Sequence, residues 1–403
     1  MIIPTGDPYP AYRALREQHP VYWDGDLDAF LVSSYAEASI VLRGPGWSSD
    51  PNRNPALAAR LDRAEVGTPA LRTLLTMDPP EHTRLRRLLA PAFAPRSIDA
   101  LHPRIAAVVK SAIATLDTAG AVDVIADIGY PIPLAVMCEL LDIDIEGAQL
   151  LRTETPKLVG MLEFDPDADA VLAAEEAIAG LALYLLPILG DRRHRPGDDF
   201  ASQLLRLGDD GGHALGHDEL ALDNALGLDE VLATCILLLT AGHETTASLI
   251  GNGVLALMEH PDQLHLLQRD PALITPAIEE ILRFECPAKI VGRTSLIDRE
   301  LGGHTIRAGQ RVLLLLGAAN RDPAQFRDPE CFDITRAPAP HLAFGAGPHF
   351  CLGAALSRAE AQEMLRQLLP LLTEWRLAPG APAWRASDTF RALEKLHLVS
   401  PAG

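Results

Sequence analysis

Ten consecutive residues constrain this chain more than any others: Phe344-Gly345-Ala346-Gly347-Pro348-His349-Phe350-Cys351-Leu352-Gly353. They set one cysteine between a glycine-rich turn and the start of a helix. Glycine lets the backbone turn tightly and come close to a flat ligand. Backbone N–H groups at a loop-to-helix junction, together with the helix dipole, stabilise a thiolate. A lone cysteine after a turn is more often an inert core residue. Here the complete Phe-Gly-x-Gly-x-His-x-Cys-x-Gly spacing is present, and chance agreement does not account for it.

Composition sets the frame for that cysteine. Hydrophobic residues make up 48% and aromatics only 5%, so the apolar mass is mostly Leu, Ala, Val and Ile. Such good helix formers predict a mainly helical protein. A formal net charge of −19 lacks the basic footprint of a nucleic-acid binder. Five cysteines, Cys138, Cys235, Cys286, Cys331 and Cys351, include no Cys-x-x-Cys pair. This argues against a disulfide framework or a zinc knuckle and points to a reducing cytoplasm. No charged N-terminal segment leads into a long apolar stretch. The longest apolar run, around 231–241, falls short of the roughly 20 residues a bilayer requires. The expectation is a cytoplasmic chain without a membrane anchor.

Periodicity predicts a short helix over 8–19, β-like pieces at 21–23 and 30–32, and irregular chain over 51–76. A helix runs from Glu81 to about Leu89, where Pro91 stops it. Long amphipathic patterns cover about 99–118, 131–142, 168–189 and 229–258. Loops surround a short helix at 199–206. Strand-like runs return over 289–316, irregular chain follows over 320–345, and a last helix follows Cys351 to about Leu372. Helices and strands do not alternate regularly, which argues against a doubly wound or barrel fold.

Three further patterns carry chemistry. Ala241-Gly242-His243-Glu244-Thr245-Thr246 puts an acid and an alcohol inside an apolar helix, where a polar group is costly without a partner. The plain reading is a threonine bonded back to its own helix; the functional one is a proton route. His243 reads as structural. Glu280-x-x-Arg283 places opposite charges on one helix face. The stretch from Met77 to Arg87 sets His82 and Arg86 one turn apart, and Arg293 and His349 add cationic or donor groups suited to carboxylates.

Taken together, these residues make the chain similar to the cytochrome P450 family from about Asp7 to Leu398. The resemblance implies a single domain over 1–403, mainly α with small β-sheets, having a large α-rich part and a smaller β-rich part. It implies haem b (iron protoporphyrin IX) bound through Cys351, with Phe344 packed near the sulfur and Gly353 in the same loop. It places His82, Arg86, Arg293 and His349 at the propionates and Ala241 and Gly242 beside the haem, and gives proton delivery to Glu244 and Thr245. The Glu280–Arg283 pair becomes a buried support for the cysteine loop. Its usual third member stands where Cys331 is found here, which leaves Arg336 or His341 to substitute.

The implied activity is a monooxygenase that uses dioxygen on a hydrophobic small molecule. Its electrons come from a ferredoxin and ferredoxin reductase, because 403 residues hold no flavin or iron–sulfur module. Arg84, Arg87, Arg96 and Arg104 form either a basic docking patch or an ordinary solvated face. A peroxide-driven enzyme and a non-catalytic haem sensor are the competing readings; the acid–alcohol pair speaks against both. The substrate would meet residues 52–75, 158–180, Thr234, Ala241, Ile290, Val291 and the loop at Thr389. The chain is expected to be a monomer.

Overall fold

The strand-like pieces near the N-terminus do form: they pair with each other, and the second also joins a strand from far along the chain. β1 (Val21–Asp24) and β2 (Ala29–Val32) pair antiparallel, Val21 opposite Val32 and Asp24 opposite Ala29. The computed structural model describes residues 6–63, 73–116, 120–163, 166–209, 226–380 and 382–400. They divide into two compact units. The first comprises residues 1–48, 105–133 and 245–403, and the second residues 49–104 and 134–244.

All strands among the described residues belong to the first unit. They are completed by β3 (Trp47–Ser48), β4 (Ala121–Asp123), β5 (Ile290–Ser295), β6 (Arg299–Leu301), β7 (His304–Ile306), β8 (Arg311–Leu315) and four short strands between Arg376 and Val399. The main sheet has the order β1-β2-β8-β5-β3. β2 runs parallel to β8, with Val32 opposite Leu314, and β5 runs antiparallel to β8, with Arg293 opposite Val312. Val312 to Leu315 are all fully buried, as expected of an apolar central strand. Helices Ile274–Phe284 and Ala354–Leu372 pack on each other in this unit.

The second unit is helical. Its described elements include Glu81–Leu89, Ile145–Met161, Ala168–His194 and Phe200–Asp209. Helix Glu81–Leu89 ends where the sequence places its end, with a 3₁₀ turn over Ala90–Phe93 carrying Pro91. Two helices of this unit go beyond the sequence expectation. Pro55–Arg63 occupies part of the stretch expected to be irregular, beginning with proline at its first turn, where no intrahelical N–H is lost. Ile145–Met161 contains Gly147, Pro156 and Gly160, which mask its period. It forms because Asp144 caps it, accepting from the Gly147 N–H at 2.8 Å, and because it packs along Ala168–His194, whose Tyr184 hydroxyl also donates to Asp144 at 2.9 Å.

The helix Leu228–Glu259 extends over 32 residues and contributes to both units. It holds the run that the sequence marks as the longest apolar one. The segments Val124–Leu141 and Ala168–His194 are in fact long and apolar enough, by length and composition alone, to cross a membrane. Two thirds of the first is buried inside the fold, as a core segment would be.

Candidate active site

The cysteine loop is built by its glycines. Gly345 and Gly347 sit at φ 67° and 70°, in the left-handed region that side chains disfavour. A Cβ on Gly347 would also collide with the carbonyl oxygen of Leu42. The Gly345 N–H donates to the Leu342 carbonyl at 2.8 Å, and a 3₁₀ turn over Gly347–His349 follows. The loop closes where the Cys351 N–H donates to the Phe344 carbonyl at 2.9 Å. Gly353 then caps helix Ala354–Leu372. Cys351 is therefore exposed, two residues ahead of the helix cap, where the N-terminal end of the dipole favours a thiolate.

A buried ion network supports this loop. Glu280 and Arg283 are only 3% and 2% exposed. Arg283 donates to both Glu280 oxygens at 2.7 Å, to the Asn320 carbonyl at 3.0 Å, to that of Pro329 at 2.8 Å and to that of Cys331 at 3.0 Å. Arg336, not His341, is the third member: its Nε meets the two Glu280 oxygens at 3.2 and 3.1 Å. His341 turns instead to Glu279 at 3.2 Å. Asn320, fully buried, carries the network to the loop by accepting from the Leu342 N–H at 2.6 Å. In the sequence Asn320 stands at the start of an irregular stretch, and its spacing to Leu342 gives no sign of this contact.

The structure places the other expected site residues as follows. Arg293 lies half-buried on β5 and donates to the Gly292 carbonyl at 2.7 Å, and His349 is half-buried in the 3₁₀ turn. Both belong to the first unit with Phe344, Cys351, Gly353 and Thr245. His82, Arg86, Ala241, Gly242 and Glu244 belong to the second. His82 is buried and Arg86 half-buried on helix Glu81–Leu89.

On helix Leu228–Glu259, His243, Glu244 and Thr246 are buried, whereas Leu237, Leu238, Ala241, Gly242 and Thr245 are half-exposed. Spacings of one, four, five and eight residues put these five on one face. The Thr246 hydroxyl donates to Ser357 at 3.3 Å, so the two adjacent threonines have different environments.

Two of the four arginines read as a basic patch are neutralised. Arg84 pairs with Glu230, and Arg104 pairs with Glu139 at 3.0 Å and also donates to its backbone carbonyl at 2.6 Å. Arg87 and Arg96 are exposed. Of the expected substrate-contacting segments, residues 64–72 and 164–165 lie outside the described residues.

The donor set fits a haem. It offers an exposed thiol at a helix start, half-buried Arg293 and His349 in the same unit, and an open approach over Gly353, where an added Cβ would meet nothing within 4 Å.

Comparison with known proteins finds likeness along nearly the whole chain. Residues 199–380 match the family model described as Cytochrome P450. The chain is 34% identical over 395 residues to the biotin biosynthesis cytochrome P450 of Bacillus subtilis (strain 168), covering 98% of this chain and 96% of that one. It is 35% identical over 403 residues to the 6-deoxyerythronolide B hydroxylase of Saccharopolyspora erythraea, covering 97% and 96%. Among solved structures, P450BioI in complex with hexadec-9Z-enoic acid ligated acyl carrier protein superposes with a TM-score of 0.86 at 33% identity, covering 98% of each chain.

Proposed function

The chain belongs to the cytochrome P450 family of haem-thiolate monooxygenases, and on that premise we propose that it inserts one atom of dioxygen into a hydrophobic small molecule, by hydroxylation or epoxidation, with electrons from a ferredoxin and its reductase. The observation that carries this reading is the exposure of Cys351 at the helix start, on a loop whose glycines hold left-handed turns.

The cofactor of the family is haem b, which when bound supplies the electron-transfer and oxygen chemistry that side chains lack. The protein's own residues do the rest. Cys351 serves as the thiolate ligand. His82, Arg86, Arg293 and His349 offer charge and hydrogen bonds to the propionates. Ala241 and Gly242 keep the exposed face of their helix shallow. Thr245, on that same face, offers a hydroxyl to the oxygen substrate and its water. The adjacent buried Glu244 relays protons to it from within the fold.

A hydrophobic substrate is supported by Leu237, Leu238 and Ala241 beside Thr245, because ligand sites are mostly apolar with few polar anchors. Segments 52–75 and 158–180, with Thr234, Ile290, Val291 and the Thr389 loop, complete the proposed contacts. Exposed Arg87 and Arg96 are the charges assigned to steering an acidic ferredoxin. A substrate tethered to an acyl carrier protein is the variant suggested by the complex of P450BioI.

The test is the carbon monoxide difference spectrum of the reduced protein. A strongly red-shifted Soret band establishes thiolate ligation; its loss in Cys351→Ser assigns the ligand. No haem signal after haem-supplemented expression refutes the reading. Turnover with ferredoxin and reductase, compared with peroxide alone, separates a monooxygenase from a peroxide-driven enzyme.

A further inference from the structure

A second ion cluster, made of residues outside the Glu280 network, closes on Phe344. Glu279 projects from helix Ile274–Phe284, and Arg358 from helix Ala354–Leu372 forks onto it, Nε to Oε1 at 2.7 Å and Nη2 to Oε2 at 2.8 Å. His341 Nε2 lies 3.2 Å from the same Oε2. The Ala343 N–H donates to His341 Nδ1 at 3.2 Å, which makes Nδ1 the acceptor and assigns the ring proton to Nε2. A neutral imidazole is enough to join the cluster. Burial alone would raise the Glu279 carboxyl, but hydrogen bonds from Arg358 and His341, with the charge of Arg358, outweigh it and hold its pKa at about 2.

The cluster reaches the cysteine in two contacts. The Arg358 guanidinium carbon lies 4.5 Å from the centroid of the Phe344 ring, within cation–π range. His341 flanks the same ring with centroids 6.1 Å apart. The Phe344 carbonyl accepts the Cys351 N–H at 2.9 Å. A cation, itself held by an anion, is thus fixed over the ring that adjoins the ligand loop, and all these residues belong to one unit.

We propose that Arg358 and Glu279 are positioning residues that hold Phe344 against the cysteine loop and set the reduction potential of the metal bound at Cys351, the cation raising it and the carboxylate lowering it. The proposal rests on the haem-thiolate reading above. Reduction adds negative charge at the ligated metal, so a nearby cation favours the reduced form and a nearby anion opposes it. Intact, the pair is close to neutral; removing either half leaves the other uncompensated. Its side chains are 30% and 38% exposed, so the effect is partly screened and grows as salt is lowered.

The experiment is a spectroelectrochemical titration of the haem-loaded wild type, Glu279→Gln, Arg358→Gln and the double variant, at low and high salt. Glu279→Gln should shift the potential positive and Arg358→Gln should shift it negative. The double variant should return toward wild type, and the separation should narrow at high salt. Shifts of the same sign in both single variants would indicate loss of packing alone and overturn the proposal, as would no shift in either. Should Arg358→Gln fail to retain haem, Glu279→Gln decides by itself: a positive shift supports the proposal, and no shift or a negative one overturns it. The wild-type carbon monoxide spectrum keeps the two claims apart. Without a thiolate band the cofactor reading fails; with that band and no opposed shifts, only the present proposal fails.

Discussion

Replacing Arg283 by lysine keeps the charge of the buried network and removes its geometry. Arginine carries five N–H donors, and in Arg283 all five are used: two on Glu280 and one each on the carbonyls of Asn320, Pro329 and Cys331. Lysine offers three donors on one point charge. The Cys331 carbonyl keeps a second donor in Arg336 at 2.8 Å, so of the two bonds lost only one, to the carbonyl of Asn320 or of Pro329, goes unreplaced. Leaving a buried polar group unsatisfied costs about 1–3 kcal/mol, which is the loss expected for Arg283→Lys. That is a large part of a typical total of about 5–15 kcal/mol. Arg283→Met, which removes the forked partner of the buried Glu280 carboxylate, is expected to lose about 3–5 kcal/mol. Urea unfolding followed by circular dichroism measures the loss. The fraction giving the thiolate carbon monoxide band shows whether the cysteine loop goes with it. An Arg283→Lys variant within about 1 kcal/mol of wild type, with a full haem complement, would refute the claim that the arginine fork supports the loop.

Other outcomes follow from the same geometry. Thr245→Ala should bind haem normally yet lower product formed per reductant oxidised severalfold; unchanged coupling would remove Thr245 from proton delivery. Gly347→Ala should cost about 1–2 kcal/mol from its left-handed backbone alone, and more from the approach of Leu42, read as a lowered thermal midpoint. Glu279 is depressed from 4.5 to about 2, so its contribution is complete above about pH 4.5 and is lost as pH falls toward 2. Glu279→Gln should flatten the acid limb of stability in that window, by no more than about 1 kcal/mol because the pair is partly exposed. Reversing Arg87 and Arg96 to Glu should slow ferredoxin association most at low salt and leave peroxide-driven turnover unchanged.

The cysteine loop is legible in the sequence because everything that shapes it is local. Two left-handed glycines, a backbone bond from Cys351 to Phe344 and a helix starting after Gly353 all lie within about ten residues. Helix Leu228–Glu259 is equally legible, since its length and apolar period survive without help from packing. Ile145–Met161 is not, because Gly147, Pro156 and Gly160 weaken its pattern and the neighbouring helix restores what propensity lacks.

Pairings between distant residues are hidden for a different reason. Arg336 replaces the missing third member of the Glu280 network across 56 residues, and Arg84 finds Glu230 across 146. Nothing in either stretch distinguishes these arginines from exposed ones such as Arg96. Charge and hydrogen-bond valence are properties of the sequence, but the partner that satisfies them is chosen by which backbones the fold brings within about 3 Å. The sequence by itself determined the turn that carries Cys351, the helical character of the chain and the family it belongs to, because short-range geometry and spacing encode all three. Only the tertiary structure decided that Arg336 completes the buried network, that Arg84 and Arg104 of the expected basic patch are paired with carboxylates, and that Arg358 and Glu279 meet at Phe344. Those depend on long-range packing, which no local pattern specifies.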